Sequence, residues 1–189
     1  MSLESPDGVP LAPFAQLLGR GFPVIGADLL YQGDFLKGKK RLIKAPIVPH
    51  VRYALGYTFG YNHPLFIRRV HDVFAICKAF DRGQGVHLVG IGREVGPIVA
   101  AAAAACANGK DSRLIERVAI FTSGFRFTEV ASFDDPMMLP GAVRYGDVPF
   151  LLALNAPRLM WLGGEGNQLP ELVKRSYSAA DAPAPLLFI

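Results

Sequence analysis

The fold is decided by the run Val86-His87-Leu88-Val89-Gly90-Ile91, which continues into Gly92-Arg93-Glu94-Val95-Gly96-Pro97. A short apolar run bounded by turn residues is typical of a buried strand. The helical pattern that follows, Ile98–Ala107, is rich in alanine, so almost nothing projects from its contact face and it can lie close to a sheet. Asn108-Gly109 then predicts a left-handed C-cap. The stretch predicts a strand, a glycine-rich turn and a helix in that order.

The same alternation of apolar runs and helical patterns extends along the rest of the chain. Further strands are predicted at Phe22–Asp28, Val118–Phe121, Arg158–Leu162 and Leu186–Ile189. Helical patterns occur at Leu11–Leu18, after Asn62-His63-Pro64 and near Gln168–Tyr177. The second of these helical patterns has one apolar face, opposite Arg68, Arg69 and Lys78. The segment Tyr31–Tyr61 shows no sustained hydrophobic periodicity and is predicted to be a long loop. Together these patterns predict an α/β fold, a mostly parallel sheet with helices on both faces.

Composition bounds both the size of the protein and its class. With 189 residues, 51% of them hydrophobic and 19% charged, the chain suits a single domain over 1–189 and excludes general disorder. Val95–Ala107 is too short to span a bilayer, so no membrane is expected as a partner. No signal peptide is visible, which makes the cytoplasm the default location. The basic residues Lys37, Lys39, Lys40, Arg41 and Lys44 are interpreted as a solvated loop, because no aromatic interleaving marks a nucleic-acid surface.

The two cysteines, Cys77 and Cys106, both fall within apolar helical patterns. Free cysteine behaves as a small buried hydrophobe, and a cysteine pair alone specifies no metal site. We therefore expect neither a disulfide nor a metal, and no motif in the sequence indicates a cofactor.

In an open parallel sheet, ligands gather at the carboxyl ends of the strands, so the turn after Ile91 is the most informative one. A dinucleotide-binding loop is one interpretation of its glycines. The spacing of Gly90, Gly92 and Gly96 departs from G-x-G-x-x-G by one residue, and the next strand ends in Thr122-Ser123 without an acidic residue for a ribose. That interpretation is disfavoured.

The string from His87 to Gly96 resembles the nucleophile elbow of the α/β-hydrolases. Upstream, Gly21–Asp28 with Gln32-Gly33-Asp34 is similar to the strand and glycine-bearing loop of that family. Downstream, four motifs are similar to acetyl-xylan-esterase-like and dienelactone-hydrolase-like members: Asp134-Asp135-Pro136, Leu139-Pro140-Gly141, Asp147-Val148-Pro149 and Ala156-Pro157-Arg158. The resemblance covers the chain from about Phe14 and implies a truncated α/β-hydrolase-like fold of an esterase lineage.

The residues that the family uses for catalysis are absent from the matching positions. Gly92 stands where the elbow has Ser or Cys, and the position of the acid corresponds to Gly166 or Asn167. Glu165 is a substitute in principle, but we interpret it as a lone exposed loop carboxylate. No histidine follows the last strand, since His50, His63, His71 and His87 all lie at or before the elbow. Loss of all three triad members leaves no acyl-transfer chemistry of this kind. The sequence therefore favours a non-catalytic binding or structural domain.

Two alternatives stay open for the site. Ser123 could act as a nucleophile with His63 in a carboxylic-ester hydrolase, although a strand-end serine usually bonds the local backbone and His63 more often caps its helix. The turn at Gly92, Arg93 and Glu94 could bind an anion or a small molecule at a helix N-terminus, although relief of strain explains the glycine more simply. Tyr57–His63 supplies aromatic and polar groups that could wall a pocket, or could equally form a well-packed loop.

The resemblance also raises the question of partners. The family places a strand between those that end here at Asp28 and Gly90, and Met1–Gly8 holds no such strand. A preceding segment in a longer protein, or a second copy in a homodimer, would complete the sheet.

Overall fold

The computed structural model describes residues 12–36, 42–50, 52–107 and 109–188. The chain divides into two compact units, Met1–Arg41 and Leu42–Ile189. The first unit contains helix α1, Ala12–Gly19, as predicted, and a 3-10 turn at Gly33–Leu36. Most of the basic cluster, the segment 1–8 and residue 108 lie outside the described residues. The predicted left-handed cap at Asn108-Gly109 is wrong for the helix after the glycine-rich turn, because this helix ends at Ala105 and its C-cap is Cys106 with φ −93°.

The strand predicted at Phe22–Asp28 is wrong. Residues 22–28 carry no strand pairing, and Phe22 and Ile25 are each 50% exposed. An apolar run becomes a strand only where a neighbouring strand takes its backbone hydrogen bonds and its side chains are covered. Neither condition is met within the described part of the first unit.

The second unit is built on four parallel strands in sequential order: β1 Val86–Ile91, β2 Ile115–Phe121, β3 Leu159–Gly163 and β4 Leu186–Phe188. Gly90 lies beside Ile120, Ile120 beside Leu162, and Leu162 beside Leu187. The predicted α/β class with a parallel sheet is confirmed. β2 begins three residues before its predicted start, because Ile115 is paired and buried despite the charges of Glu116 and Arg117.

Among the described residues of this unit, five α-helices accompany the sheet: α2 Ala54–Tyr61, α3 Leu65–Phe80, α4 Val95–Ala105, α5 Asp147–Ala153 and α6 Glu171–Ala179. Helix α2 falls within the segment predicted to be a long loop, so that prediction is wrong for these residues. Its sequence, ALGYTFGY, contains two glycines and few strong helix formers, which hides the helix from a propensity argument. Helices α4, α5 and α6 each connect two consecutive strands.

The core lies between one face of the sheet and these helices. Side chains on that face are almost fully buried: Val118 and Ile120 on β2, Met160 and Leu162 on β3, with at most 2% exposed. Helix α4 packs against β1, β2, α3 and α5. Its alanines at 100, 102 and 103 are completely buried, which confirms that the alanine-rich helix lies close to the sheet. The alternate residues Val89 and Ile91 on β1 are 56% and 53% exposed.

A buried arginine, Arg158, joins this helix layer to the sheet. Its Nε donates to the carbonyl oxygen of Ile115 at 2.8 Å, and its Nη1 donates to that of Ala103 at 2.8 Å. Its Nη2 donates to the carbonyl oxygen of Cys106 at 3.3 Å. The hydroxyl of Tyr177 donates to the carbonyl oxygen of Arg158 at 2.7 Å. The guanidinium therefore donates to backbone carbonyls at the end of α4 and at the start of β2, and so connects the two elements.

Two side-chain predictions for the helices have opposite outcomes. Arg69 was assigned to the solvated face of its helix, and this is wrong, because it is 2% exposed with Nη1 3.5 Å from Glu94 Oε2. Cys77 and Cys106 are free and buried, as predicted. Burial raises the pKa of the Cys77 thiol to about 11, so it stays protonated at neutral pH. No helix within the described ranges is both long enough and apolar enough to cross a bilayer.

Candidate functional site

The carboxyl end of β1 turns sharply at Gly92 and enters α4. Gly92 has φ +104°, its N–H donates to the carbonyl oxygen of Phe121 at 2.9 Å, and its own carbonyl accepts from Gly96 N–H at 2.9 Å. A Cβ at Gly92 would meet nothing within 4 Å, whereas one at Gly96 would lie 2.4 Å from Phe121 O. The predicted strand–turn–helix is confirmed, and Gly96 allows the close approach of helix to strand.

The two charged residues of this turn are engaged by the protein itself. The guanidinium of Arg93 donates to the Glu129 carboxylate and lies 5.0 Å from the centre of the Phe125 ring. Glu94 faces Arg69 from the other side of the turn. The hydrogen bond from Arg93 holds the pKa of Glu129 below its ordinary value, so this carboxylate is ionised at neutral pH. An anion at this turn would have to displace Glu129 from Arg93.

The ends of β2 and β3 are joined by a second polar cluster. The hydroxyl of Thr122, which is fully buried, donates to the carboxylate of Glu165, and Arg126 binds the same carboxylate through Nη1 at 3.0 Å and through Nη2. The Glu165 side chain has no exposed surface, so its interpretation as a lone exposed loop carboxylate is wrong. The hydrogen bond to Glu165 raises the pKa of Arg126. We call Thr122, Arg126 and Glu165 the strand-end cluster.

Within the described residues, Ser123 and His63 form no hydrogen bond with each other. Ser123 is exposed and has the left-handed φ of +53°, and its hydroxyl makes no hydrogen bond with any residue that the structure describes. The neighbouring Thr122, not Ser123, bonds the local backbone, accepting from Gly124 N–H at 3.2 Å. His63 does not cap α3, because Pro64 occupies the N-cap and no side chain closes it. The ring of His63 instead lies 5.4 Å from that of His71.

A cavity of about 330 Å³ opens beside His63. Its walls come from residues 45–49, from the end of α2 and the start of α3, and from the segment 133–138. Thr58, Phe59, Asn62 and His63 all line it, so this segment lines a pocket, which is one of the two roles considered for it. The remaining histidines serve other contacts: His50 Nδ1 accepts from the Tyr53 N–H at 3.0 Å, and His87 Nε2 lies 2.9 Å from Glu116 Oε2.

Sequence reasoning missed Arg126 and Glu129, which organise the strand ends. Glu129 Oε1 accepts from Arg126 N–H at 3.0 Å at the start of a 3-10 turn. No sequence motif marks this pair, because an arginine side chain has no acceptor with which to complete a capping box. The pairing of Arg126 with Glu165, which is distant in sequence, could not be predicted from residue spacing either. No cluster of three or more His, Cys, Asp or Glu side chains suited to a metal ion occurs among the described residues.

The sequence and the structure of this chain were compared with those of known proteins. No protein-family model, no curated protein and no solved structure matches this chain.

Proposed function

We propose that this chain is a non-catalytic, α/β-hydrolase-like domain whose role is to bind a ligand rather than to hydrolyse one. The observation that carries the proposal is the engagement of the polar groups at the strand ends with one another. Arg93 is bound to Glu129, and Glu165 is enclosed by Thr122 and Arg126. Groups committed in this way stabilise the turns and are not poised for proton transfer.

The chemistry of acyl transfer supports the same conclusion. A nucleophile elbow works because a strained turn exposes a hydroxyl or thiol within reach of an imidazole. Here the turn has φ +104° at Gly92 and open space where a Cβ would stand. Glu165, the possible substitute for the acid that a hydrolase has after this strand, is paired with Arg126 instead. A sharp strand-to-helix turn that lacks the reacting groups supports a binding role over a hydrolytic one.

The test is labelling with a fluorophosphonate probe, combined with turnover of p-nitrophenyl acetate. We expect no labelling and no turnover above the rate of a heat-unfolded sample. Gly92→Ser restores only the hydroxyl, so we expect that variant to remain unlabelled as well, because no imidazole is supplied to activate it. Stoichiometric labelling of the unaltered protein would overturn the proposal.

A carboxylic-ester hydrolase that uses Ser123 is the second candidate, and one observation favours it. A non-glycine residue with φ +53° at the end of a strand is a strained conformation of the kind that clusters at active sites. Ser123→Ala separates the candidates, since probe labelling that disappears in this variant would establish the hydrolase. Ser132→Ala is the matched control, because that hydroxyl already donates to Asp134.

A further inference from the structure

The cavity beside His63 is held open by contacts within its own walls. Val48 N–H donates to the hydroxyl oxygen of Thr58, a buried residue of α2, at 3.0 Å. At the other end of the same segment, Ala45 N–H donates to the carbonyl oxygen of Asp134 at 2.6 Å, and Lys44 Nζ lies 2.9 Å from Asp134 Oδ2. A wall tied down at both ends is formed before any ligand arrives, which reduces the ordering cost of binding.

Two opposite charges line this cavity without meeting. Arg68 comes from the first turns of α3 and Asp135 from the facing segment. Neither forms an ion pair with the other or with any further residue in the part of the chain described. Asp135 Oδ1 accepts from Met137 N–H at 2.7 Å, which orients the carboxylate and leaves Oδ2 available. A single ligand that carries both charges would pair with both residues.

The rest of the lining is mostly apolar. Ile47, Phe59, Phe133 and Met138 contribute hydrocarbon, aromatic and thioether surface. Methionine adapts its shape to irregular ligands, and aromatic side chains add contact area at low entropic cost. Small-molecule sites span roughly 300–1,000 Å³. At about 330 Å³ this cavity is near the lower end, which suits a compact ligand rather than a peptide.

We infer that the cavity binds a small zwitterion with an apolar body, the chemistry of a free α-amino acid with a large side chain. Its carboxylate pairs with Arg68, its ammonium with Asp135, and its side chain contacts the apolar walls. This inference rests on the proposed function, because it names the ligand class of a non-catalytic binding domain.

The experiment is isothermal titration of the full chain with L-phenylalanine and three relatives that each lack one feature. N-acetyl-L-phenylalanine has no ammonium, 2-phenylethylamine has no carboxylate, and glycine has no apolar body. We expect L-phenylalanine to bind and each relative to bind at least about tenfold more weakly, since a charge-assisted hydrogen bond is lost or the apolar contact is removed.

Two variants assign the charges. Asp135→Asn keeps the oxygen that accepts from Met137 N–H, and we expect it to weaken L-phenylalanine about tenfold while leaving N-acetyl-L-phenylalanine unchanged. Arg68→Gln should weaken L-phenylalanine and leave 2-phenylethylamine unchanged. Lys174→Gln, at an exposed site on α6, is the control and should bind like the unaltered protein.

The outcomes separate this inference from the proposed function. Failure of L-phenylalanine to bind, or binding that neither variant changes, overturns the zwitterion site while the fluorophosphonate result still decides the function. Labelling that depends on Ser123 overturns the proposed function, whatever the titration shows.

Discussion

The two faces of the parallel sheet differ in how far they are covered, although both are apolar. On the helix-covered face Ile120 and Leu162 have no exposed surface; α4 packs against the strands, α5 against α4, and α6 against α5. On the opposite face Val89, Ile91 and Leu186 are 56%, 53% and 60% exposed. Parallel sheets are ordinarily covered on both faces. The stability of this unit is therefore concentrated on one side of the sheet, and substitutions on the two faces should differ sharply in cost.

The largest effect is expected at Arg158, which fastens the helix layer to the sheet. Arg158→Met keeps most of the side-chain volume but removes every donor. The carbonyls of Ile115 and Cys106 then lose their guanidinium donor, and that of Ala103 keeps only the Cys106 N–H at 3.2 Å. We expect a loss of about 4 kcal/mol in the free energy of unfolding, measured by urea denaturation. Arg175→Met is the matched control, because that side chain is 76% exposed and pairs only with Glu171. Equal losses for the two variants would contradict a fastening role for Arg158.

The next effect tests the covered face by cavity formation. Ile120→Ala removes a fully buried side chain from the centre of β2, between Gly90 and Leu162. We expect a loss of about 3 kcal/mol, since truncation of a buried isoleucine forfeits its transfer free energy and leaves a void. Urea denaturation with an unchanged m-value would show that only the stability had changed. A loss below about 1 kcal/mol would mean that this face is less tightly packed than its burial indicates.

The difference between the two faces of the sheet also shows which features the sequence can predict and which it cannot. The strands, the turn at Gly92 and the alanine-rich helix were predictable because hydrophobic period, glycine and alanine act locally. The run of β1 is apolar on both of its faces, so its period alone could not reveal that Val89 and Ile91 stay exposed while Gly90 is buried. Burial depends on neighbours distant in sequence.

The candidate site was less predictable than the fold for the same reason. The absence of a nucleophile at Gly92 could be predicted from the sequence, because it concerns one residue in one turn. The burial and pairing of Glu165 could not, since its partners Arg126 and Thr122 lie 39 and 43 residues away in sequence. The strand predicted at Phe22–Asp28 failed likewise, because its pairing partner is a matter of tertiary structure and not of local pattern.

A smaller effect is expected where the sheet ends, at the strand-end cluster. Glu165→Gln keeps the shape of the side chain but leaves the guanidinium of Arg126 beside a neutral amide. Because Arg126 is 31% exposed and solvent screens part of the loss, we expect about 2 kcal/mol rather than the full cost of breaking a buried ion pair. Urea denaturation of Glu129→Gln provides the comparison, since that carboxylate is 41% exposed and should lose less. A larger loss at Glu129 would place the main polar support at the Arg93 turn instead.

The smallest loss in free energy of unfolding is expected on the exposed face of the sheet. This measurement decides whether the two faces also differ in coverage in solution. Ile91→Ala makes the same chemical change as Ile120→Ala, on the neighbouring strand, at the position beside Phe121. Because Ile91 is 53% exposed, it gives up less buried surface and leaves no enclosed void, so we expect a loss of about 1 kcal/mol or less. Urea denaturation at several protein concentrations measures the loss and shows whether association contributes, since a cover supplied by a second copy would make the midpoint depend on concentration. A loss in free energy of unfolding as large as that of Ile120→Ala would mean that this face of the sheet is covered in solution. If the denaturation midpoint were then independent of protein concentration, the covering residues would belong to the same chain and not to a second copy.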